Sequence, residues 1–141
     1  MKTNYLILSI FCALFASCTG KQDVNGWYFI TDNQTMDFDK SPIVTVADFE
    51  MLRVDSALNS ENTMTYVITG QIKAEKAKIW ADATEKAIGK QIGFLYNGKI
   101  ISSPQVNARI EGGHFQISSQ DLSKDREKTL GVYEALKRKT K

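Results

Sequence analysis

The side chains that could support catalysis or hold a metal ion are few and scattered. His114 is the only histidine in the chain, so a metal site built from several histidines is excluded. Asp37 and Asp39 stand two residues apart and could share a cation, but the residues around them do not follow the pattern of a calcium-binding loop. We therefore expect a solvated acidic loop at these aspartates and a partly exposed strand residue at His114.

Nucleophilic and phosphate-binding motifs are also missing from the sequence. Ser102, Ser103, Ser118 and Ser119 lie at expected strand ends and turns, and none stands in the Gly-x-Ser-x-Gly elbow of a hydrolase. Gly112-Gly113 is not followed by the Gly-Lys-Ser/Thr of a phosphate-binding loop. The sequence therefore predicts no catalytic residue, no metal and no cofactor, and it favours a protein that is not an enzyme.

Cys18 is the residue expected to carry a covalent modification. Residues 1–17 combine a positive charge at Lys2 with the apolar run Tyr5–Phe15 and end in small residues, which is the pattern of a secretory signal peptide. Small residues followed by Cys18 resemble a bacterial lipobox, in which the cysteine becomes the lipidated first residue of the mature protein, although Phe15 stands where Leu is usual. Plain secretion and an uncleaved anchor stay open as alternatives.

The expected organisation is a signal peptide over residues 1–17, a lipidated cysteine with a polar tether over residues 18–25, and one domain over residues 26–141. Cys12 would leave with the signal peptide, so the domain would contain no disulfide. The formal net charge of +2 argues against nucleic acid as a partner. We expect acyl chains to hold the domain at a membrane of the cell envelope, facing the periplasm or the cell exterior.

The most informative stretch covers residues 89–118. Two short apolar runs, Gln91–Tyr96 and Lys99–Ser102, flank Asn97-Gly98. This dipeptide between two such runs predicts a β-hairpin, because both central residues of a type I′ turn need a positive φ. Pro104 has no N–H to donate to a neighbouring strand and should end the second strand.

The remaining elements follow from hydrophobic periodicity. Alternation predicts an antiparallel pair, Phe49–Leu58 with Thr63–Ile72. Helical spacing of apolar residues predicts a helix over Lys73–Ile88, anchored by Trp80, and a second helix over Ser123–Lys137 with Ser123 as its N-cap. We therefore predict an α+β fold with a mainly antiparallel sheet and two helices packed on one face. A mixed sheet is left open.

The turn signals of residues 89–118 resemble a known family. Gly-Lys before a strand, an Asn-Gly turn, a Ser-Ser-Pro segment and an Ile-x-Gly-Gly-x-x-x-Ile-Ser segment occur with similar order and spacing in the head subdomain of the first periplasmic domain of SecD, a subunit of the Sec protein-export machinery. These residues form turns and core, so the resemblance addresses the fold more than the chemistry. The turn residues that carry it are Gly89, Asn97, Gly98, Pro104, Gly112 and Gly113.

The resemblance implies a non-enzymatic protein-binding module of the cell envelope that assists protein export. Its partners would be the Sec translocon or unfolded polypeptide. SecD proteins carry membrane helices that use the proton gradient, whereas this sequence has no second apolar run near the roughly 20 residues that such a helix needs. We expect it to act passively or beside a partner. Two alternatives stay open: a structural or inhibitory lipoprotein unrelated to export, and a small envelope hydrolase.

Overall fold

The computed structural model describes residues 24–140, and these residues form an α+β fold. The predicted signal peptide and Cys18 lie outside the described residues. The strands are β1 (Gly26–Asp32), β2 (Asp37–Phe38), β3 (Val44–Thr45), β4 (Phe49–Leu58), β5 (Met64–Ile72), β6 (Ile92–Tyr96), β7 (Lys99–Ser102) and β8 (His114–Ile117). The helices are α1 (Ala74–Lys86), α2 (Gln120–Ser123) and α3 (Arg126–Lys137), and 3-10 turns at Val46–Asp48 and Glu111–Gly113 precede β4 and β8.

The strands divide between two antiparallel sheets. One sheet has the order β2-β1-β6-β7 with β3 also paired to β1, and the other has the order β4-β5-β8. The predicted α+β class with mainly antiparallel pairing is confirmed; the parallel contact in residues 24–140 is an isolated bridge between Ile88 and Val106. The division into two sheets was not predicted, because the alternation within a strand does not identify its neighbours.

The predicted hairpin is present between β6 and β7. Asn97 and Gly98 have φ values of 48° and 79°, as a type I′ turn requires. The flanking strands pair through Tyr96 and Lys99 and then through Leu95 and Ile100.

The second predicted pair forms a long ribbon whose two faces differ. β4 and β5 pair from Phe49 opposite Ile72 to Leu58 opposite Met64. The face that includes Ile68 is covered by the rest of the molecule, whereas Arg53 lies exposed on the other face. The turn is stabilised by the Asn59 side chain, which accepts hydrogen bonds from the N–H groups of Glu61 and Thr63 at 3.0 and 2.9 Å.

The second long helix begins later than the sequence analysis predicted. Ser123 is not its N-cap; that residue ends the separate short helix α2, which is capped by Ser119. Asp125 caps α3 instead, because its carboxylate accepts the Lys128 N–H at 3.0 Å. No helix within residues 24–140 is long and apolar enough to cross a bilayer.

An aromatic cluster joins the two sheets and α1. Trp27 of β1 lies 5.6 Å from Trp80 of α1, 5.2 Å from Phe94 of β6 and 6.1 Å from Phe115 of β8, measured between ring centroids. Phe49 of β4 lies 4.4 Å from Phe115. Trp27, Trp80, Phe49 and Phe94 are at most 1% exposed, so the cluster is the centre of the core.

Two glycine substitutions test the backbone of the hairpin against that of α3. A β-carbon added at Gly98 or at Gly131 would meet no atom within 4 Å, so only backbone conformation distinguishes them. Gly98→Ala should lower the free energy of unfolding by about 1 kcal/mol because of the positive φ. Gly131→Ala should raise it by about 0.5–1 kcal/mol, because alanine favours helix. Urea titrations of both variants check the opposite signs; equal signs would contradict the assigned conformations.

Candidate functional site

An apolar groove opens where the two sheets meet, and we call it the junction groove. It has a volume of about 450 Å³. Its floor includes Trp27, Trp80 and Phe115, and its walls include Val106, Ile110 and Gln116. The indole N–H of Trp27 is buried without an acceptor among the described residues. The lining is mostly aromatic and aliphatic, which suits an apolar side chain or a short extended peptide.

One strand edge faces this groove. β8 lies at the edge of its sheet. The carbonyl of His114 accepts the Trp80 indole N–H at 3.0 Å, and the N–H of Ser118 donates to Ser102 Oγ at 3.1 Å. Both bonds point away from β5. Because backbone groups of alternate residues in an antiparallel strand point to the same side, the N–H and C=O of Gln116 also point away from β5, where no strand pairs with them in residues 24–140.

The far wall of the groove is the segment that follows β7, residues 103–110. Its first half is fixed to the residues after α1. The N–H of Gly89 donates to the Val106 carbonyl at 2.8 Å, and the N–H of Val106 donates to the Lys90 carbonyl at 2.9 Å. The N–H of Ile92 donates to the carbonyl of Pro104 at 3.2 Å. These bonds hold the buried side chain of Val106 against the core.

The second half of the segment is fixed to α1 by side chains. Arg109 Nη1 lies 2.8 Å from a carboxylate oxygen of Asp82 and 2.8 Å from one of Glu85, and its Nε lies 2.5 Å from Glu111. The N–H of Ile110 donates to the buried hydroxyl of Thr84 at 2.9 Å. The two walls of the groove are therefore β8 and the segment 103–110, and hydrogen bonds to neighbouring elements hold both of them.

This network shifts two pKa values. Hydrogen bonds from Lys78 and then Arg109 lower the pKa of Asp82 below its ordinary value. The hydrogen bonds to Glu111 and then Asp82 raise the pKa of Arg109. On the outer face of the β4–β5 ribbon, the hydroxyl of Thr69 and then Arg53 lower the pKa of Asp55.

The turn residues singled out in the sequence do not form one site. Gly89 and Pro104 lie beside the junction groove, and Gly112 and Gly113, with φ values of 70° and 73°, lead into β8. Asn97 and Gly98 lie at the other end of β6, where the N–H of Asn97 donates to the Asn25 side chain at 2.8 Å. Their assignment to the turn motif of the family stays a prediction.

The other candidate residues form local hydrogen bonds or lie exposed, and they do not converge on a site. Asp37 accepts a hydrogen bond from the Thr35 hydroxyl at 2.7 Å, and His114 is exposed beside Gly113. Ser102 and Ser119 accept hydrogen bonds from backbone N–H groups. Within residues 24–140 there is no group of three or more His, Cys, Asp or Glu that could hold a metal ion.

Sequence reasoning missed the junction groove. Its wall residues 105–110 have neither a helical nor an alternating period. The only local sequence signal for this segment was Pro104, which follows β7 and prevents the strand from continuing. The contacts of Arg109 with Asp82 and Glu85 are separated by 27 and 24 residues, a distance over which one sequence carries no pairing information.

Comparison with known proteins identifies relatives over most of the chain. Residues 24–129 match the family model described as "SecDF, P1 head subdomain". The protein translocase subunit SecD of Acidaminococcus fermentans is 31% identical over 91 residues, which are 64% of this chain and 21% of that protein. The subunit SecD of Mycobacterium tuberculosis is 43% identical over 56 residues, 40% of this chain and 10% of that protein. The chain thus spans about a fifth or less of the length of these relatives.

Two solved structures share the fold. One, described as a membrane component SecDF that enhances protein export, superposes with a TM-score of 0.64 at 16% identity and covers 82% of this chain and 62% of that chain. The other, SecDF in a super-membrane-facing form, gives a TM-score of 0.58 at 18% identity and covers 74% of this chain and 14% of that chain. At these identities the likeness shows the fold alone.

Removal of the Thr84 hydroxyl tests how the groove wall is held. Thr84→Val should lower the free energy of unfolding by about 1–3 kcal/mol, because the N–H of Ile110 loses its acceptor. Faster hydrogen exchange at the Ile110 amide should accompany the loss. Thr31→Val, at an exposed position of β1, is the matched control and should change stability by less than about 0.5 kcal/mol. Unchanged Ile110 exchange in Thr84→Val would contradict the assigned bond.

The ion pairs of Arg109 should make stability depend on pH. The pKa of Asp82 is lowered in the folded protein. The ion pairs of Asp82 therefore contribute fully to folding stability at pH values above 3.8, its ordinary pKa. This contribution is lost as the pH falls through the lowered pKa. Arg109→Gln should therefore raise the pKa of Asp82 and reduce stability more at neutral pH than in acid. A carboxylate titration by NMR checks this. Arg53→Gln is the control variant, and it should raise the pKa of Asp55 without changing the pKa of Asp82.

Proposed function

The chain belongs to the SecDF P1 head family, and from that premise we propose that it is a non-enzymatic binding module of the cell envelope that contacts unfolded polypeptide during protein export. The family supplies the setting, protein export. The chain covers only a small share of its SecD relatives, so the step from family to role rests on the site. In this role the domain would act beside the Sec translocon.

The free edge at Gln116 beside an apolar groove is the observation that carries this proposal. An extended polypeptide can add to a sheet edge, with its backbone paired to the edge and its side chains in neighbouring pockets. Gln116 would supply one N–H donor and one C=O acceptor. Pro104, Ala108 and Ile110, the accessible apolar residues of the groove, would receive an apolar side chain of the bound segment above the buried ring of Phe115.

The short length of this edge suits transient contact with many sequences. The His114 carbonyl and the Ser118 N–H are already bonded to Trp80 and Ser102. The backbone of a bound segment could therefore pair at Gln116, with few further bonds on either side. Backbone pairing does not depend on the sequence of the partner, and so few bonds favour rapid release.

Attachment to a membrane is the second part of the proposal. The lipobox-like Cys18, behind a signal peptide at residues 1–17, would carry the acyl chains, and the polar residues up to 25 would form the tether. This attachment would keep the junction groove at the membrane surface, on the periplasmic side or the cell exterior.

Two variants at Gln116 separate backbone pairing from side-chain contact. Gln116→Ala keeps the backbone N–H and should bind a permanently unfolded, fluorescently labelled polypeptide with an affinity within about threefold of the original protein. Gln116→Pro removes the N–H on the side away from β5, where proline is tolerated at a sheet edge, and should weaken binding by about tenfold. Fluorescence anisotropy measures both affinities.

Thermal unfolding of both variants controls for loss of structure. If the protein binds no unfolded polypeptide, or if both variants bind as well as the original, the role of this edge is refuted. Unaltered export kinetics in cells that lack the protein, together with an altered envelope, would favour the alternative of a structural or inhibitory lipoprotein.

A further inference from the structure

The strand β4 forms the second edge of the three-stranded sheet. The order of this sheet is β4-β5-β8, so within residues 24–140 β4 pairs on one side only. The strand runs over Phe49–Leu58 and contains neither lysine nor proline, the residues that often protect a sheet edge from pairing. A bulge between Phe49 and Met51 interrupts the pairing with β5. The regular part of the open edge therefore begins at Leu52.

The pairing with β5 determines which backbone groups face this edge. At the end of the ribbon, the N–H of Asn59 donates to the Thr63 carbonyl at 3.0 Å. Because alternate residues of an antiparallel strand direct their backbone groups to the same side, the odd-numbered residues after the bulge face β5. The N–H and C=O groups of Leu52, Val54 and Ser56 therefore face outward, and no hydrogen bond within residues 24–140 engages them.

Two opposite charges lie next to each other on the outer face of this edge strand. Arg53 Nε lies 3.0 Å from a carboxylate oxygen of Asp55, and the Arg53 side chain is 66% exposed. Among the described residues, the guanidinium group forms its hydrogen bonds through Nε alone, to Asp55 and Thr69. Its two terminal nitrogens are therefore free to donate to a carboxylate of another molecule.

A second copy of β4 matches this edge in its hydrogen bonds and in its charges. If two copies pair antiparallel about a two-fold axis at Val54, each Leu52 lies opposite Ser56 of the other copy, and the outward-facing backbone groups meet. In the same register each Arg53 lies opposite Asp55 of the other copy. These two residues form a non-hydrogen-bonded pair, in which the side chains of neighbouring strands are closest.

Like charges oppose the two neighbouring registers. A shift by two residues keeps the outward-facing backbone groups opposite one another. In one direction this shift places Arg53 opposite its own copy, and in the other direction it places Asp55 opposite its own copy. Like charges directly opposite each other destabilise a sheet. The register centred on Val54 is therefore favoured over both neighbours.

We propose that β4 is a self-association surface, through which two copies of the chain join their three-stranded sheets into one six-stranded sheet. The half-buried side chains of Leu52 and Val54 lie at this edge on the covered face, and a second copy would cover them further. An interface built on one strand edge is small, which is typical of weak and reversible association.

This self-association is independent of polypeptide binding at Gln116. That residue lies on β8, at the opposite edge of the same sheet. The strand order of the joined sheet would be β8-β5-β4-β4-β5-β8, so both β8 edges would stay open. A dimer that binds no polypeptide would refute the proposed function alone, and a monomer that binds polypeptide would refute the self-association alone.

Cysteine cross-linking of the purified full chain tests the register. The Cα atoms of a hydrogen-bonded antiparallel pair lie about 5.5 Å apart, a distance that a disulfide spans. Val54→Cys should therefore form an intermolecular disulfide under mild oxidation. Peptide mass mapping should assign this bond to position 54 of both chains, which distinguishes it from any bond of Cys12 or Cys18.

Ala57→Cys is the matched control for this cross-link. In the proposed register the two copies of position 57 are offset by six residues, or about 20 Å, so they should not form a disulfide. Ala57 is more exposed than Val54, and random collisions would therefore favour the control. Equal cross-linking through both positions overturns the proposal.

Charge reversals in the Val54→Cys background test the complementarity. Arg53→Asp places like charges opposite each other and should slow disulfide formation about fivefold or more. The double exchange R53D/D55R restores opposite charges and should recover most of the rate. Lys90→Asp makes the same change in net charge at an exposed position outside β4 and should leave the rate unaltered. Thermal unfolding of each variant controls for loss of structure, and a double exchange as slow as Arg53→Asp contradicts the register.

Amide hydrogen exchange of the original full chain requires no substitution. An increase in protein concentration from about 10 µM to about 500 µM, the range of weak dissociation constants, should slow exchange at Leu52, Val54 and Ser56. The amides of Arg53 and Asp55, which face β5, should be unchanged. Exchange that is independent of concentration overturns the proposal. Protection of Val54 only by an added unfolded polypeptide would also overturn it and would assign this edge to polypeptide binding.

Discussion

The contact between Trp27 and the aromatic rings around it is the interaction on which the rest of the structure depends. Each of the two sheets is small, and neither could cover its own apolar face alone. Trp27 contacts Trp80, Phe94 and Phe115, so one side chain joins the first sheet to the second and to α1. Aromatic pairs contribute about 0.5–1.5 kcal/mol each beyond the area they bury. With no cysteine in residues 24–140, this packing holds the sheets together.

The junction groove is a consequence of that packing. Where the two sheets meet, the buried aromatic layer lies directly beneath the groove, and the segment 103–110 forms the wall above it. Arg109 and Thr84 hold that segment against α1. In the part of the chain that the structure describes, the edge of β8 has no neighbouring strand on this side. The proposed binding site therefore lies directly on the core, with Trp27 and Trp80 buried beneath Phe115.

Local elements were predictable from the sequence, whereas the groove was not. The Asn97-Gly98 turn and the alternation of the β4–β5 ribbon depend on neighbouring residues, and both were predicted. The start of α3 was assigned to Ser123 because two capping residues compete there, and the carboxylate of Asp125 forms the bond. The pairing of β8 with β5 and the contact of Arg109 with Asp82 join distant residues, and no local pattern encodes them. The resemblance to SecD was based on turn residues. Turn residues determine the path of the backbone, and most of them do not line the groove.

Residue-resolved amide hydrogen exchange of β8, with and without a permanently unfolded polypeptide, tests the central claim most directly. If the edge is open, the Gln116 amide exchanges fast in the free protein, while the amides of Phe115 and Ile117, which face β5, exchange slowly. Added polypeptide should then slow exchange at Gln116 and leave its two neighbours unchanged. A Gln116 amide that is already protected in the free protein, or one that the polypeptide does not affect, would contradict the account.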